Sequence, residues 1–405
     1  MKIRSITYFI DPQYQTIEEQ LSFLQEHMQT TRRKLEAAGL AVQSIRLATT
    51  PFPLWLNLYD ESEILENLTA FVKQTGKAGF DYMSIGPCTT TNIPDSSLIP
   101  LILSISDTLF TSMQIADPQT GLSTRAVKTC AQTIQQVAHL EPNGFANLRF
   151  AALANVKPCA PFFPAAYGRA GKPAFAFAME CADTVQEVFN QSSDIKSGCQ
   201  RLIEIFETQA LSIEKIIQKT NSAVDFSFEG FDFSLAPFPE TWCSFGRALE
   251  SMGIPAIGSA GSLAAAAILA STLDSGNWKK TGFNGLMMPI LEDNILAQRS
   301  AEGILSIYDV LHYSSVCGTG LDTVPLPGDI AVEKIEALLM DVAALALRLD
   351  KPLTARLMPI PGKQAGDVVE FDFSFFAKGK VLDYPYHGFQ APLAADQTIH
   401  LKARR

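Results

Sequence analysis

The first third of the chain alternates between extended and helical patterns, and this alternation constrains the fold more than any other feature. Lys2–Ile10 has the β-branched and aromatic character of a strand. Thr16 and Glu19 make a capping box, and Ile17, Leu21, Leu24, Met28 and Leu35 follow on one helical face before Gly39. Ala41–Thr49 predicts a second strand, with Pro51 and Pro53 behind it. Glu61–Gln74 predicts a helix and Phe80–Ile85 another strand. Two strand–helix–strand units in succession imply parallel strands with right-handed crossovers.

The same grammar continues with longer connections. Asn147–Val156 and Pro173–Met179 read as buried strands, Ile195–Thr220 as a long helix, and Asp225–Leu235 as an alternating strand. Pro237 and Pro239 open a helix through Met252, and Pro255–Ile257 is a short strand before a Gly-Ser turn. Ile335, Leu338, Leu339, Val342, Leu345, Ala346 and Leu349 mark a strongly amphipathic helix. Leu353–Ile360 and Val368–Phe373 close the pattern as strands. No linker or short repeat interrupts it. One α/β domain over 1–405 is expected: strand–helix units to 140, a core over 145–375 and a tail over 376–405.

With 47% hydrophobic and 18% charged residues, the chain can build a large core and is not disordered. A net charge of −10 argues against nucleic acid or an anionic membrane as partner. The seven cysteines show no Cys-x-x-Cys and no disulfide framework, which suits reduced thiols in the cytoplasm. The N-terminal apolar run is too short for a signal peptide, and no run reaches membrane-spanning length. The 26 phenylalanines are enough to furnish an interface, so a homodimer stays open.

Residues 314–329 concentrate the candidate chemistry. Cys317 and Asp322 lie among Gly318, Gly320 and Gly328, with Pro325 and Pro327 behind them. Glycine lets backbone approach a ligand closely and proline stiffens a turn, so the stretch reads as a rigid loop holding a nucleophile and an acid. Cys317 reads either as that nucleophile or as a small buried hydrophobe. A nucleophilic thiol needs a base or cation, and His312, five residues earlier, is the nearest histidine. Asp329 precedes the amphipathic helix and reads as its cap. Asp322 has no helix to cap and reads as an acid/base or orienting carboxylate.

Other residues suit a small anion. The turn Gly258-Ser-Ala-Gly-Ser262, with Ser259 in it, offers backbone N–H groups and hydroxyls at a helix start. Ordinary capping explains it equally well. Arg356 lies in an apolar strand and needs a partner, and Lys363 sits in the turn that follows. The rigid aromatic loop Asn155–Tyr167 either walls a pocket or packs against the sheet. Asp232 and Ser234 sit at a strand end. Asp232, Asp322 and Asp367 are the residue types that hold a hard divalent ion, but sequence spacing shows no convergence and names no metal or cofactor. No dinucleotide fingerprint or Walker A motif occurs: Gly171-Lys172 runs into Pro173.

Four blocks in this order resemble the family known as domain of unknown function 711: Phe233-Ser-Leu-Ala-Pro237, Gly258-Ser-Ala-Gly-Ser262, Val316-Cys-Gly-Thr-Gly-Leu-Asp322 with Pro327-Gly-Asp329, and Gly362-Lys-Gln-Ala-Gly-Asp367 with Phe371. The resemblance implies a large α/β barrel of two parallel half-barrels with surrounding helices, similar to pyruvate formate-lyase. It does not bring radical chemistry with it. The C-terminal Arg-Val-x-Gly-Tyr type loop is missing, and Tyr386-His-Gly-Phe389 is the nearest stretch. The functional expectation is therefore an enzyme acting on a small anionic metabolite through Cys317 and Asp322, or a non-catalytic binding protein using the same pocket.

Overall fold

The computed structural model describes residues 1–221 and 226–404. Among the described residues the principal sheet has eleven strands: β1 (Lys2–Ile10), β2 (Ile45–Thr49), β3 (Tyr82–Cys88), β4 (Leu109–Asp117), the short β5 (Gly121–Ser123), β6 (Phe150–Ala154), β7 (Ala174–Glu180), β8 (Ser227–Ala236), β9 (Gly320–Pro327), β10 (Leu353–Ile360) and the two-residue Thr398–Ile399 paired with β5. Helices α1 (Ile17–Ala37), α2 (Glu61–Ala78), α3 (Leu98–Leu103) and α4 (Thr124–Ala138) connect the first strands. Next come α5 (Ala182–Asn190), α6 (Ile195–Asn221), α7 (Phe245–Glu250) and α8 (Ser262–Ser275). Last are α9 (Asn294–Ala301), α10 (Ile307–Tyr313) and α11 (Val332–Arg348).

The sheet runs β8-β7-β1-β2-β3-β4-β6-β10-β9. Strands β1, β2, β3, β4 and β6 are mutually parallel, as the strand–helix alternation requires. The later strands depart from an all-parallel sheet. β7 pairs antiparallel with β1, and β10 antiparallel with β6. β8 and β9 then follow β7 and β10 in parallel. The molecule is a mixed α/β protein with a large, mostly parallel sheet and surrounding helices. Residues 279–290 hydrogen-bond to both edge strands: Phe231 N donates to Lys279 O, Met287 N to Ser234 O, and Ile290 N to Asp322 O. Both bridges in this segment, Phe231 with Lys280 and Pro289 with Asp322, are parallel.

The two sheet faces differ in kind. Ile6, Tyr8, Leu47, Met83, Phe175, Phe177, Phe231 and Phe233 belong to the main core under the helices. The alternate residues mix small, polar and aromatic side chains. Register aligns Ala174, Phe9, Ala48, Ser84 and Phe110 in one row, and Asp232, Ala178 and Ser5 in another. The loop over 158–167 fills the space on this second face. Thr7 Oγ1 donates to Pro161 O and Ser84 Oγ to Ala166 O, while Phe163 packs edge-on to Phe110.

Several sequence expectations change. Gly320–Pro327 is the buried strand β9, not a loop. Prolines are tolerated where a strand lacks a full ladder on one side, and β9 pairs fully only with β10. Residues 255–257 are turn, and the helix expected from Pro237 reduces to a 3-10 turn, Thr241–Cys243, and α7. Val368–Phe373 keeps only the strand Val368–Val369, paired with Gly379–Lys380. Asp225, the expected start of β8, lies outside the described residues. Asp329 does not cap α11: Ala331 occupies that position without a side-chain bond, and Asp329 accepts instead from Gln364 Nε2 at 3.0 Å.

Candidate functional site

The second sheet face gathers a cluster of ions, of which Arg356, Asp322 and Glu292 are buried and Arg4 is half-buried. Arg356 on β10 donates from Nε to Asp322 Oδ1 and from Nη2 to Glu292 Oε1, both at 2.6 Å. Arg4 on β1 donates from Nη2 to Glu292 Oε2 at 2.5 Å and from Nη1 to Pro237 O at 2.8 Å. Glu292 thus sits between two guanidiniums. Burial opposes its charge, but Arg356 and Arg4 outweigh burial and hold its pKa below the usual value. Among the described residues, Asp322 has one guanidinium contact, Arg356. Burial pushes its pKa up, against the pull of Arg356, and neighbouring Glu292 adds to the rise. Burial also opposes the charge of Arg356, yet the two acids raise its pKa above the ordinary arginine value.

Two further ions stand apart from this network. Asp232 on β8 accepts from Phe283 N at 3.0 Å, from Asn284 N at 3.1 Å and from the Ser234 hydroxyl. All three donors are neutral, and burial raises its pKa despite them. Arg46 on β2 has Ser44 Oγ as its hydrogen-bond acceptor, at 2.9 Å, and its guanidinium lies over the Phe163 and Tyr82 rings at 5.2 and 5.8 Å. Among the described residues, no carboxylate lies within salt-bridge distance of it. Burial, with Arg4 nearby, lowers its pKa to about 10.

A cavity of about 30 Å³ joins these groups. Its walls include Arg4, Arg46, Phe162, Asp232, Glu292 and Asp322. That volume holds roughly one or two water molecules. Backbone strain sits beside it. Leu235 follows Ser234 with φ 51°, Asn284 has φ 43°, and Thr323 follows Asp322 with φ 42°. A β-branched residue in the left-handed region is an outlier that surrounding structure must hold in place.

The structure separates the other anticipated site residues from this cavity. Cys317 is buried in the main core and does not line the cavity. Burial raises its thiol pKa, opposite to activation, while His312 is exposed on α10. Gly258 accommodates Ile304 O, 2.2 Å from where a Cβ would sit. The Ser262 hydroxyl donates to Ser259 O at 2.7 Å and accepts from Gly258 N at 3.2 Å, so that turn satisfies itself. Gly320 has φ 95°, and a Cβ there would lie 2.2 Å from Thr354 O, so close β9–β10 approach explains it. Gly318 packs against Gly285, and Lys363 is exposed in the turn after β10.

Of the principal candidates, Asp322 and Arg356 meet beside this cavity, and Asp232 and Ser234 line it from β8. Arg4, Arg46 and Glu292 were missed. A signal existed: Arg4 and Arg46 each interrupt a strand of buried residues. A larger surface cleft of about 680 Å³ lies elsewhere, walled by Tyr59, Thr90, Asn92, Arg125 and Asp396. Its ionisable groups are exposed to water.

These features define an α/β protein whose mostly parallel sheet holds a buried ionic cluster against a small cavity. The chain belongs to the family described as Uncharacterised ACR (DUF711), which matches residues 1–375. A UPF0210 protein of Pyrobaculum arsenaticum is 29% identical over 346 residues, covering 81% of this chain and 76% of that protein. One from Pyrobaculum aerophilum is 29% identical over 376 residues, covering 87% and 82%. One from Clostridium perfringens is 25% identical over 378 residues, covering 88% and 82%. No helix among the described residues is long and apolar enough to cross a membrane.

Proposed function

We propose that the protein binds a small anionic molecule at the Arg46 cavity and acts on it as an enzyme, with Asp322 and Asp232 as the proton-handling groups. One observation carries this reading: Arg46 is a half-buried cation that lines a cavity and has, among the described residues, no carboxylate partner. Partial burial of an unpaired charge carries a desolvation cost, and an anion in the cavity offsets it. Asp232, whose hydrogen-bond donors among the described residues are all neutral, lines the same cavity and would donate to the anion when protonated. Two buried acids with raised pKa values are the kind of groups that move protons near neutral pH.

The proposal includes a closed barrel similar to that of pyruvate formate-lyase. Its support is directional. Five strands run one way, and β7, β8, β9, β10 and residues 279–290 run the other. The burial of Cys317 and the small cavity favour a second reading, a non-catalytic sensor of the same anion.

The test is thermal unfolding with formate, acetate or phosphate. A ligand at about one hundred times its Kd stabilises by about 2.7 kcal/mol. The wild-type protein should be stabilised by at least one of these anions, and Arg46→Met should fold but lose the response. An unchanged response in Arg46→Met would sink the proposal.

A further inference from the structure

We propose that the Phe162 side chain is the gate of the Arg46 cavity and limits its ligand to a small carboxylate; this rests on reading the cavity as an anion site. The loop carrying Phe162 enters the polar face of the sheet and is tied at both ends. Cys159 N donates to Tyr167 O at 2.7 Å and Gly168 N to Thr49 O at 2.8 Å. The Tyr167 hydroxyl donates to Val156 O at 2.8 Å. The Ser84 hydroxyl holds Ala166 O at 2.9 Å, and Thr281 Oγ1 holds Cys159 O at 2.8 Å. Pro161 and Pro164 fix φ on either side of the tip. The backbone is therefore a rigid mount.

The tip residues differ from one another. Pro161 and Phe163 are buried, whereas Phe162 between them is half-buried. Its ring lies 5.5 Å from the Arg356 guanidinium and meets Phe283 edge-on at 5.7 Å. The same ring lines the cavity beside Arg46 and Asp322. The ring thus lies over the Arg356 guanidinium and lines the cavity while staying partly exposed. Rotating the side chain opens the cavity without moving the backbone. With the ring in place, about 30 Å³ admits a carboxylate head and little more. Specificity would come from exclusion: a bulky carboxylate competes with the Phe162 ring for one space.

The experiment replaces the ring with space and offers the ring back on a ligand. Formate and benzoate are titrated by calorimetry against wild type, Phe162→Ala and Phe162→Ala with Arg46→Met. Wild type should bind formate and reject benzoate. Phe162→Ala should keep formate binding and tighten benzoate by about tenfold or more, the effect of burying a phenyl group. Adding Arg46→Met should remove both. The gate is overturned if Phe162→Ala binds formate without gaining benzoate, or if wild type binds benzoate equally well. It is also overturned if benzoate binding survives Arg46→Met, because the ligand then sits elsewhere. If neither wild type nor Phe162→Ala binds formate, the anion-site reading itself falls. Should Phe162→Ala not fold, Phe162→Leu retains more apolar contact and carries the same comparison, with a smaller gain for benzoate.

Discussion

Arg356 and Asp322 face each other across a bulge. Ala355 pairs with Leu321 and Leu357 with Val324, so Arg356 alone stands opposite both Asp322 and Thr323. The extra residue puts Thr323 at φ 42° and turns the Asp322 carboxylate to within 2.6 Å of the Arg356 Nε. Bulges re-aim side chains in this way, often beside functional sites.

Arg356→Met should therefore destabilise the protein by about 3–5 kcal/mol, because it leaves Asp322 short of a cation inside the fold. Glu292 keeps Arg4 and should suffer less. Urea unfolding of Arg356→Met and of Arg356→Met with Asp322→Asn measures this. The second change should restore part of the loss. Equal or greater loss in the double variant would show that the pair does not act as a unit.

Arg46 predicts opposite effects of alkali on stability and on binding. Its pKa in the folded protein is lowered to about 10 by burial, below the ordinary value. The folded state therefore releases this proton before the unfolded state does. Raising the pH through about 10 relieves the burial cost and makes this group's contribution to stability more favourable. The same change removes the charge that holds the anion. Stabilisation by formate should persist at pH 9 and fade as pH rises through about 10. Melting curves with and without formate across this window test it; a formate response independent of pH would contradict the assignment.

Thiol labelling should distinguish the cysteines. Cys199 on α6 is half-buried, while the other six are buried. Cys88 and Cys317 have thiol pKa values raised by burial. Iodoacetamide at neutral pH should modify Cys199 first and Cys317 slowly, as read by mass spectrometry. Fast modification of Cys317 would restore it as the nucleophile anticipated from its glycine-rich surroundings.

Asp293 should matter far more than Asp329. It is fully buried, and its Oδ1 accepts from Ile295 N, Leu296 N and Ser244 Oγ at 2.7–3.0 Å. Its Oδ2 accepts from Phe245 N at 2.5 Å, so one carboxylate caps the starts of α7 and α9. Asp293→Ala should cost about 3 kcal/mol or more through two lost caps. Asp329→Ala removes one exposed contact and should cost within about 0.5 kcal/mol. Chemical melts of the two variants decide this; a reversed order would contradict it.

The local patterns of this chain were legible in its sequence. The capping box at Thr16 and Glu19, the stripe from Ile335 to Ala346 and the apolar run Leu353–Ile360 each depend on neighbours within a few residues. Their spacing alone therefore determines helix or strand. The lone arginine in Leu353–Ile360 also announced a buried partner, because a charge inside an apolar strand must be compensated. What the sequence could not contain was who that partner is. Arg356 is 34 residues from Asp322 and 64 from Glu292, and Arg4 is 288 from Glu292. Those contacts follow from sheet order and register, including the antiparallel joins of β7 to β1 and β10 to β6. The same distinction explains Cys317 and Gly320. Glycines beside a thiol look alike in sequence whether they admit a ligand or a neighbouring strand. Tertiary structure placed Thr354 O where a Gly320 side chain would be, and buried Cys317 in the core. Local composition determined where the backbone can bend, and long-range packing decided what fills the space it leaves.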